Sequence, residues 1–169
     1  MTDVMLDLET MGRDHDAAII AIGAVQFDLK EKTLGSEFYI VVDLASAMAA
    51  GGTISADTVL WWMQQSDEAR AEFNRPGKVI DYALRMFSGW VAGLGPFDGI
   101  WGNGATFDNV ILRTAFNRLD IPAPWNFRQD RCFRTVKAIS PPACLHSEGT
   151  EHKALDDAKW QARYLMEVL

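Results

Sequence analysis

Four carboxylates and one imidazole, supplied by three short segments, hold most of the chemical potential of this sequence. Asp7 and Glu9 flank Leu8 directly behind the apolar run Val4-Met5-Leu6. Asp108 closes the segment Asn103-Gly104-Ala105-Thr106-Phe107-Asp108, and His152 precedes Asp157 in His152-Lys153-Ala154-Leu155-Asp156-Asp157. Carboxylate oxygens are the ligands that hard divalent cations prefer. An imidazole beside them can exchange a proton near neutral pH. Together the five groups supply what a two-metal, phosphodiester-cleaving centre requires. Each segment also has an ordinary reading: a solvated acidic turn for Asp7 and Glu9, a helix N-cap for Asp108, and an exposed imidazole for His152. Their order, spacing and context favour the metal centre.

The elements that must position these groups are readable from periodicity. Val4–Glu9 is short and apolar, the pattern of a buried strand. Alternation in a strand sends Asp7 and Glu9 to one face, and Asp7 interrupts residues among which an unpaired carboxylate is costly. Residues 99–103 form a second strand that leads through a loop to Asp108. Val110, Ile111, Leu112, Ala115, Phe116 and Leu119 follow at near-helical spacing, so Asp108 stands at a helix N-terminus. A last helix buries Leu155, Ala158, Ala162, Leu165 and Leu169, with Asp157 on its first turns and His152 on the loop before it. That offset lets a helix-borne carboxylate bind metal while the loop brings the imidazole over a phosphate. Asp156 points about 100° away around the helix; it reads as solvated, and Asp157 as the ligand.

Further strands are expected at Ala18–Leu29 and Glu37–Leu44, joined by a turn around Lys30–Gly35. Helices are expected at Ala56–Gln65, at Val79–Ala92 (with Ala83, Met86, Phe87, Trp90 and Val91 on its apolar side) and at 131–139. Of the adjacent Trp61 and Trp62, a helix sends one to the core and the other to a groove or a partner surface. Ile121-Pro122-Ala123-Pro124 breaks the pattern, and Pro141-Pro142 opens an irregular stretch ending at His152. Three meandering strands followed by alternating helices and strands describe an α/β fold of the RNase H-like type, a mixed sheet flanked by helices. Without repeat or linker, residues 1–169 read as one domain.

The set Asp7, Glu9, Asp108, His152 and Asp157, in that order, resembles the DEDDh branch of the DnaQ-like 3′–5′ exonucleases over nearly the whole chain. Thr58-Val59-Leu60-Trp61-Trp62-Met63-Gln64-Gln65 and Asp157-Ala158-Lys159-Trp160-Gln161 are similar to a small bacterial and phage group of RNase T-like 3′–5′ exoribonucleases. The resemblance implies two Mg²⁺ or Mn²⁺ ions held by Asp7, Glu9, Asp108 and Asp157, with Asp7 bridging. It implies His152 as the general base, worth about 10²–10⁴-fold in rate. By position it implicates Glu9, Thr10, Met11 and His152 in receiving the 3′-terminal nucleotide. Phe107 could offer a base a stacking face, although Met11 and Phe107 also read as core residues. Homodimers are common among such enzymes, and an exposed Trp61 or Trp62 could anchor one.

Composition bounds the partners. The net charge of −7 is unusual for a protein that grips long nucleic acid. Residues 1–100 carry 7 Lys and Arg against 15 Asp and Glu, whereas residues 101–169 carry 9 against 8. Arg113, Arg118, Arg128, Arg131, Arg134, Lys137, Lys153, Lys159 and Arg163 are therefore the phosphate-facing population, most of them also readable as solvated helix surface. The expectation is metal-dominated recognition of a short single-stranded 3′ end, RNA before DNA. Cys132 and Cys144 read as reduced thiols of a cytoplasmic protein, and no apolar stretch suggests a membrane partner. The rivals are a 3′–5′ DNA exonuclease of repair or proofreading type and a catalytically inactive fold used for binding. A pure binding module has no need for a cluster of mutually repelling carboxylates.

Overall fold

A strand buried along its length organises the chain. The computed structural model describes residues 2–143, 145 and 152–169. β1 (Thr2–Thr10) is buried at every residue after Thr2. It pairs antiparallel with β2 (Ile19–Asp28), which pairs antiparallel with β3 (Thr33–Val41). On its other edge β1 runs parallel to β4 (Ile100–Gly102), and β4 parallel to β5 (Asp130–Cys132), in the order β3-β2-β1-β4-β5. Helices α1 (Leu44–Ala49), α2 (Ala56–Trp62), α3 (Asp67–Ala71) and α4 (Ile80–Gly93) lie between β3 and β4 in the chain. α5 (Asp108–Arg118) connects β4 to β5, and α6 (Phe133–Ile139) and α7 (Ala154–Val168) follow. This is the mixed, helix-flanked sheet that the sequence pattern implies.

The two faces of β1 serve two cores. Val4, Leu6 and Leu8 pack with Ile22, Phe87, Leu112 and Phe116, the side covered by α4 and α5. Met5 packs with Val25, Phe27, Ala158, Ala162 and Leu165, the side covered by α7. Each large side chain fully buried in these cores contributes about 1.5–3 kcal/mol. Asp7 and Glu9 share the face of Met5, so strand alternation directs both carboxylates toward α7. Gly23 makes that contact close: it pairs with Asp7 across the β1–β2 ladder. A Cβ there would lie 2.3 Å from the Ala154 carbonyl carbon and the Leu155 nitrogen. Glycine therefore lets the first turn of α7 settle on β2 beside Asp7.

Several boundaries differ from expectation. Asp28 Oδ1 accepts the N–H groups of Lys30 and Glu31, at 2.8 and 2.9 Å, so the turn is tighter than read and β3 starts at Thr33. β3 ends at Val41, not Leu44, because the Asp43 side chain caps Ser46 N–H at 2.7 Å and turns the chain into α1. α3 and the three-residue β5 carry too little periodicity to be read. Met86 and Leu169 are exposed and Leu155 is half-buried, so the inward faces of α4 and α7 are narrower than expected. Polar Gln161 lies on the inward face of α7 instead. Cys132 is a free thiol; Cys144 and most of the irregular stretch before His152 lie outside the described residues. Among the described residues no helix is long and apolar enough to cross a membrane.

Candidate active site

The end of β1 and the start of α7 bring three carboxylates together. Ligand oxygens of Asp7, Glu9 and Asp157 lie within 4.8 Å of one another. Asp7 and Glu9 are each only 8% exposed. Gln161, one turn beyond Asp157 on α7, donates its Nε2–H to Asp7 Oδ1 at 2.7 Å. Glu9 Oε1 is buried without a hydrogen-bond partner among the described residues. An acceptor left bare beside two further carboxylates is unfavourable by itself and fits a site built for a cation. The donor set, all oxygen and all anionic, suits a hard divalent ion.

Asp108 approaches the same centre from α5. It is the first residue of the helix rather than its cap, a place taken by Phe107 without a side-chain bond. Its Oδ1 accepts Leu8 N–H at 3.0 Å and its Oδ2 accepts Asn103 N–H at 2.6 Å. The carboxylate thus ties α5 to β1 and to the loop after β4, and each oxygen keeps a second lone pair. Asp108 lies outside the trio of converging oxygens, yet its charge reaches Asp7.

The electrostatics of this cluster are strained in the absence of cations. Burial first, then the charges of Asp108, Glu9 and Asp157, pushes the Asp7 carboxyl well above its ordinary range, against the opposing Gln161 hydrogen bond. Burial, followed by Asp157 and Asp108, raises Glu9 from 4.5 to about 8. Burial raises Asp108 to about 6, opposed by the N–H groups of Asn103 and Leu8. Three neighbouring carboxyls that resist ionisation mark a functional site more often than a structural one.

His152 stands at the lip. Its backbone occupies the left-handed region, φ 64°, uncommon outside glycine although histidine visits it more readily than most residues, and its N–H donates to Asp157 Oδ2 at 3.1 Å. The ring meets Trp61 edge-to-face at 4.8 Å between centroids and Trp62 at 6.1 Å. As the helical spacing implied, the two tryptophans divide. Trp62 is buried and donates Nε1–H to Thr10 O at 3.0 Å, whereas Trp61 is 40% exposed.

A cavity of about 720 Å³ opens over this centre. Asp7, Glu9, Thr10, Phe107, His152 and Asp157 all line it. Met11 does not; it packs against two apolar clusters, the core reading of that residue. Trp61, Trp160 and Gln161 line it too, and no role for them in the chemistry follows from the sequence. Among the described residues none of the nine basic residues of the second half lines this cavity, although the charge of Arg134 reaches Asp108. Arg113 pairs with Asp130 at 3.1 Å, Arg118 with Asp16 at 3.7 Å, Lys159 with Glu37 at 2.7 Å, and Lys137 sits over the Trp160 ring at 5.2 Å. Arg13, from the acidic half, is the one arginine or lysine on the lining among the described residues. Asp156 is off the lining and pairs with Lys153 at 3.7 Å rather than standing solvated. Asp156→Asn should therefore keep nearly full nuclease activity and change stability by no more than about 1 kcal/mol, while Asp157→Asn should be inactive. An inactive Asp156→Asn beside an active Asp157→Asn would reverse the assignment.

Residues 2–169 match the family described as the 3′-5′ exoribonuclease Rv2179c-like domain. No curated protein matches the sequence. Among solved structures, the nuclease domain of 3′hExo, a DEDDh family member bound to rAMP, is similar with a TM-score of 0.67 at 11% identity, over 98% of this chain and 90% of that one. E. coli Exonuclease I in complex with a dT13 oligonucleotide has a TM-score of 0.65 at 16% identity; the match covers 95% of this chain but only 39% of that enzyme. The cell-death related nuclease CRN-4 has a TM-score of 0.56 at 14% identity, over 98% of this chain and 62% of that one. Likeness at such low identity establishes the RNase H-like exonuclease fold, and the family match adds the activity class. The chain belongs to the Rv2179c-like 3′–5′ exoribonuclease domain family and is a 3′–5′ exonuclease.

Proposed function

We propose that residues 1–169 act as one cytoplasmic exonuclease domain that shortens single-stranded RNA from its 3′ end. The observation that carries this reading is the convergence of Asp7, Glu9 and Asp157 oxygens within 4.8 Å, in a cavity that His152 also lines. Asp7, Glu9 and Asp157, joined by Asp108, would hold two Mg²⁺ or Mn²⁺ ions. Those ions would supply water activation and charge relief at phosphorus and at the leaving 3′-oxygen. His152 takes the proton of the attacking water as general base. Thr10 and Phe107 border the place of the terminal nucleotide, and a base stacked on an aromatic face there gains about 1–3 kcal/mol. With one arginine on the lining, phosphate affinity rests on the cations held by the acidic cluster more than on protein charge. That favours short 3′ ends over extended tracts.

RNA is preferred over DNA on the strength of the family match. Matched 5′-labelled RNA and DNA oligomers, incubated with Mg²⁺ or Mn²⁺ beside EDTA controls, test it. The expected result is a ladder receding from the 3′ end of the RNA and abolished by EDTA. Faster shortening of the DNA would assign the same mechanism to a DNA exonuclease. No cleavage of either strand would sink the catalytic reading.

A further inference from the structure

Gln161 is an amide where the pattern of α7 calls for an apolar residue. Its neighbours on the inward face include Ala158, Ala162 and Leu165, and it is itself only 3% exposed. A methionine or leucine there would add to the core at no polar cost, whereas a buried amide must be hydrogen-bonded to be tolerated. Its Nε2–H meets Asp7 Oδ1 at 2.7 Å, the hydrogen bond to that carboxylate among the described residues. The amide nitrogen faces Asp7 and the oxygen points away, the orientation that an ionised, cation-holding Asp7 accepts. Oε1 is then left buried without a partner among the described residues. One end of the side chain is satisfied at the expense of the other, and the satisfied end is the one that touches the acidic cluster.

The helical register explains why this residue can reach. Asp157 and Gln161 are four apart and so share one face of α7. Across the ladder from Asp7 stands Gly23, which has no side chain to brace it. We propose that Gln161 is a positioning residue of the exonuclease reaction: by anchoring Asp7 Oδ1 it fixes the rotamer in which the remaining lone pairs of that carboxylate face Glu9 and Asp157. Such partners of a ligating group set metal affinity and activity by about 10–100-fold. The inference rests on the reading of Asp7 as a metal ligand.

The test uses Gln161→Met, which keeps the volume and removes the amide, and Gln161→Glu, which keeps the shape and replaces the donor by a carboxylate. Mn²⁺ titrations followed by thermal shift are run beside kcat and KM on a labelled RNA oligomer. Both variants should need about 10–100-fold more Mn²⁺ for the half-maximal shift. At fixed subsaturating Mn²⁺ their kcat should fall, with KM for RNA within about twofold of the parent. If Gln161→Met melts early, Gln161→Asn, which keeps the amide but retracts it from Asp7, should show the same weakened Mn²⁺ response. A parental Mn²⁺ midpoint in Gln161→Met would overturn the proposal. A full Mn²⁺ response in Asp7→Ala itself would instead refute the ligand reading on which it rests.

Discussion

Asp7→Ala should reduce exonuclease turnover to the level of the EDTA control and, at pH 8 without metal, melt no lower than the parent. The activity loss follows from removing the carboxylate at the centre of the cluster, whose oxygens converge with those of Glu9 and Asp157. The stability result follows from linkage. Unfolded carboxyls titrate near pH 4, whereas Glu9 titrates at about 8, Asp108 at about 6, and Asp7 well above its ordinary value. A folded pKa above the unfolded one means that the native state retains protons which the unfolded chain releases. The contribution of these three carboxyls to the stability of the metal-free protein is therefore greatest on the acid side and declines as pH rises from about 4 toward 8. Removing Asp7 takes away one raised carboxyl and lowers the field on the others, so the decline should flatten. Against this, Gln161 loses its acceptor, and an unsatisfied buried amide costs about 1–3 kcal/mol. The two effects oppose, and pH decides between them. At pH 5 the variant should be equal to or below the parent; at pH 8 it should be equal or above. Divalent ions reverse the parent's deficit. At a hundredfold excess over the dissociation constant they contribute about 2.7 kcal/mol, or about 5–10 °C for a chain of this size. Asp7→Ala should lose that gain. A variant that unfolds at pH 8, or keeps the Mn²⁺ gain, would remove Asp7 from the centre.

What the sequence made legible was the part dictated by burial and period. β1 is a run of apolar residues interrupted by carboxylates, and the interruption marks both strand and site. α5 and α7 announce themselves by apolar spacing, and Asp108 and Asp157 follow from where those helices start. The edge of the sheet was less legible. β3 is exposed or half-buried at every residue, so it has no apolar alternation to read, and its ends were set instead by the side chains of Asp28 and Asp43. β5 is three residues long and exists because β4 offers it a parallel partner. Within the site, the bond from Gln161 to Asp7 spans 154 residues of sequence, and nothing local announces it. The cations misled for a related reason: charge counts say how many arginines a segment holds, not that Arg113 and Arg118 are already paired with Asp130 and Asp16.

His152→Ala should separate proton transfer from metal binding. The rate at saturating metal and RNA should fall by about 10²–10⁴-fold, the range for loss of a general base, while the Mn²⁺ concentration for the half-maximal thermal shift stays near that of the parent. The structure gives reasons for both halves. The contact of this residue with the carboxylates is made by its backbone, N–H to Asp157 Oδ2 at 3.1 Å, and alanine retains that group. The ring lies elsewhere, edge-on to Trp61 at the border of the cavity, so its deletion subtracts the imidazole without stripping Asp157 of its donor. The left-handed backbone at this position, φ 64°, disfavours any residue with a Cβ by about 1–2 kcal/mol, so His152→Gly, which relieves that strain, should show the same loss of rate as His152→Ala. Free imidazole at high concentration should then restore part of the lost rate, since the missing function is a proton acceptor and the space for it has been vacated. Two outcomes would count against this role. Equal losses in rate and in Mn²⁺ affinity would make the imidazole a ligand. A near-parental rate would leave the attacking water to be deprotonated without it, and would reduce His152 to a wall of the cavity.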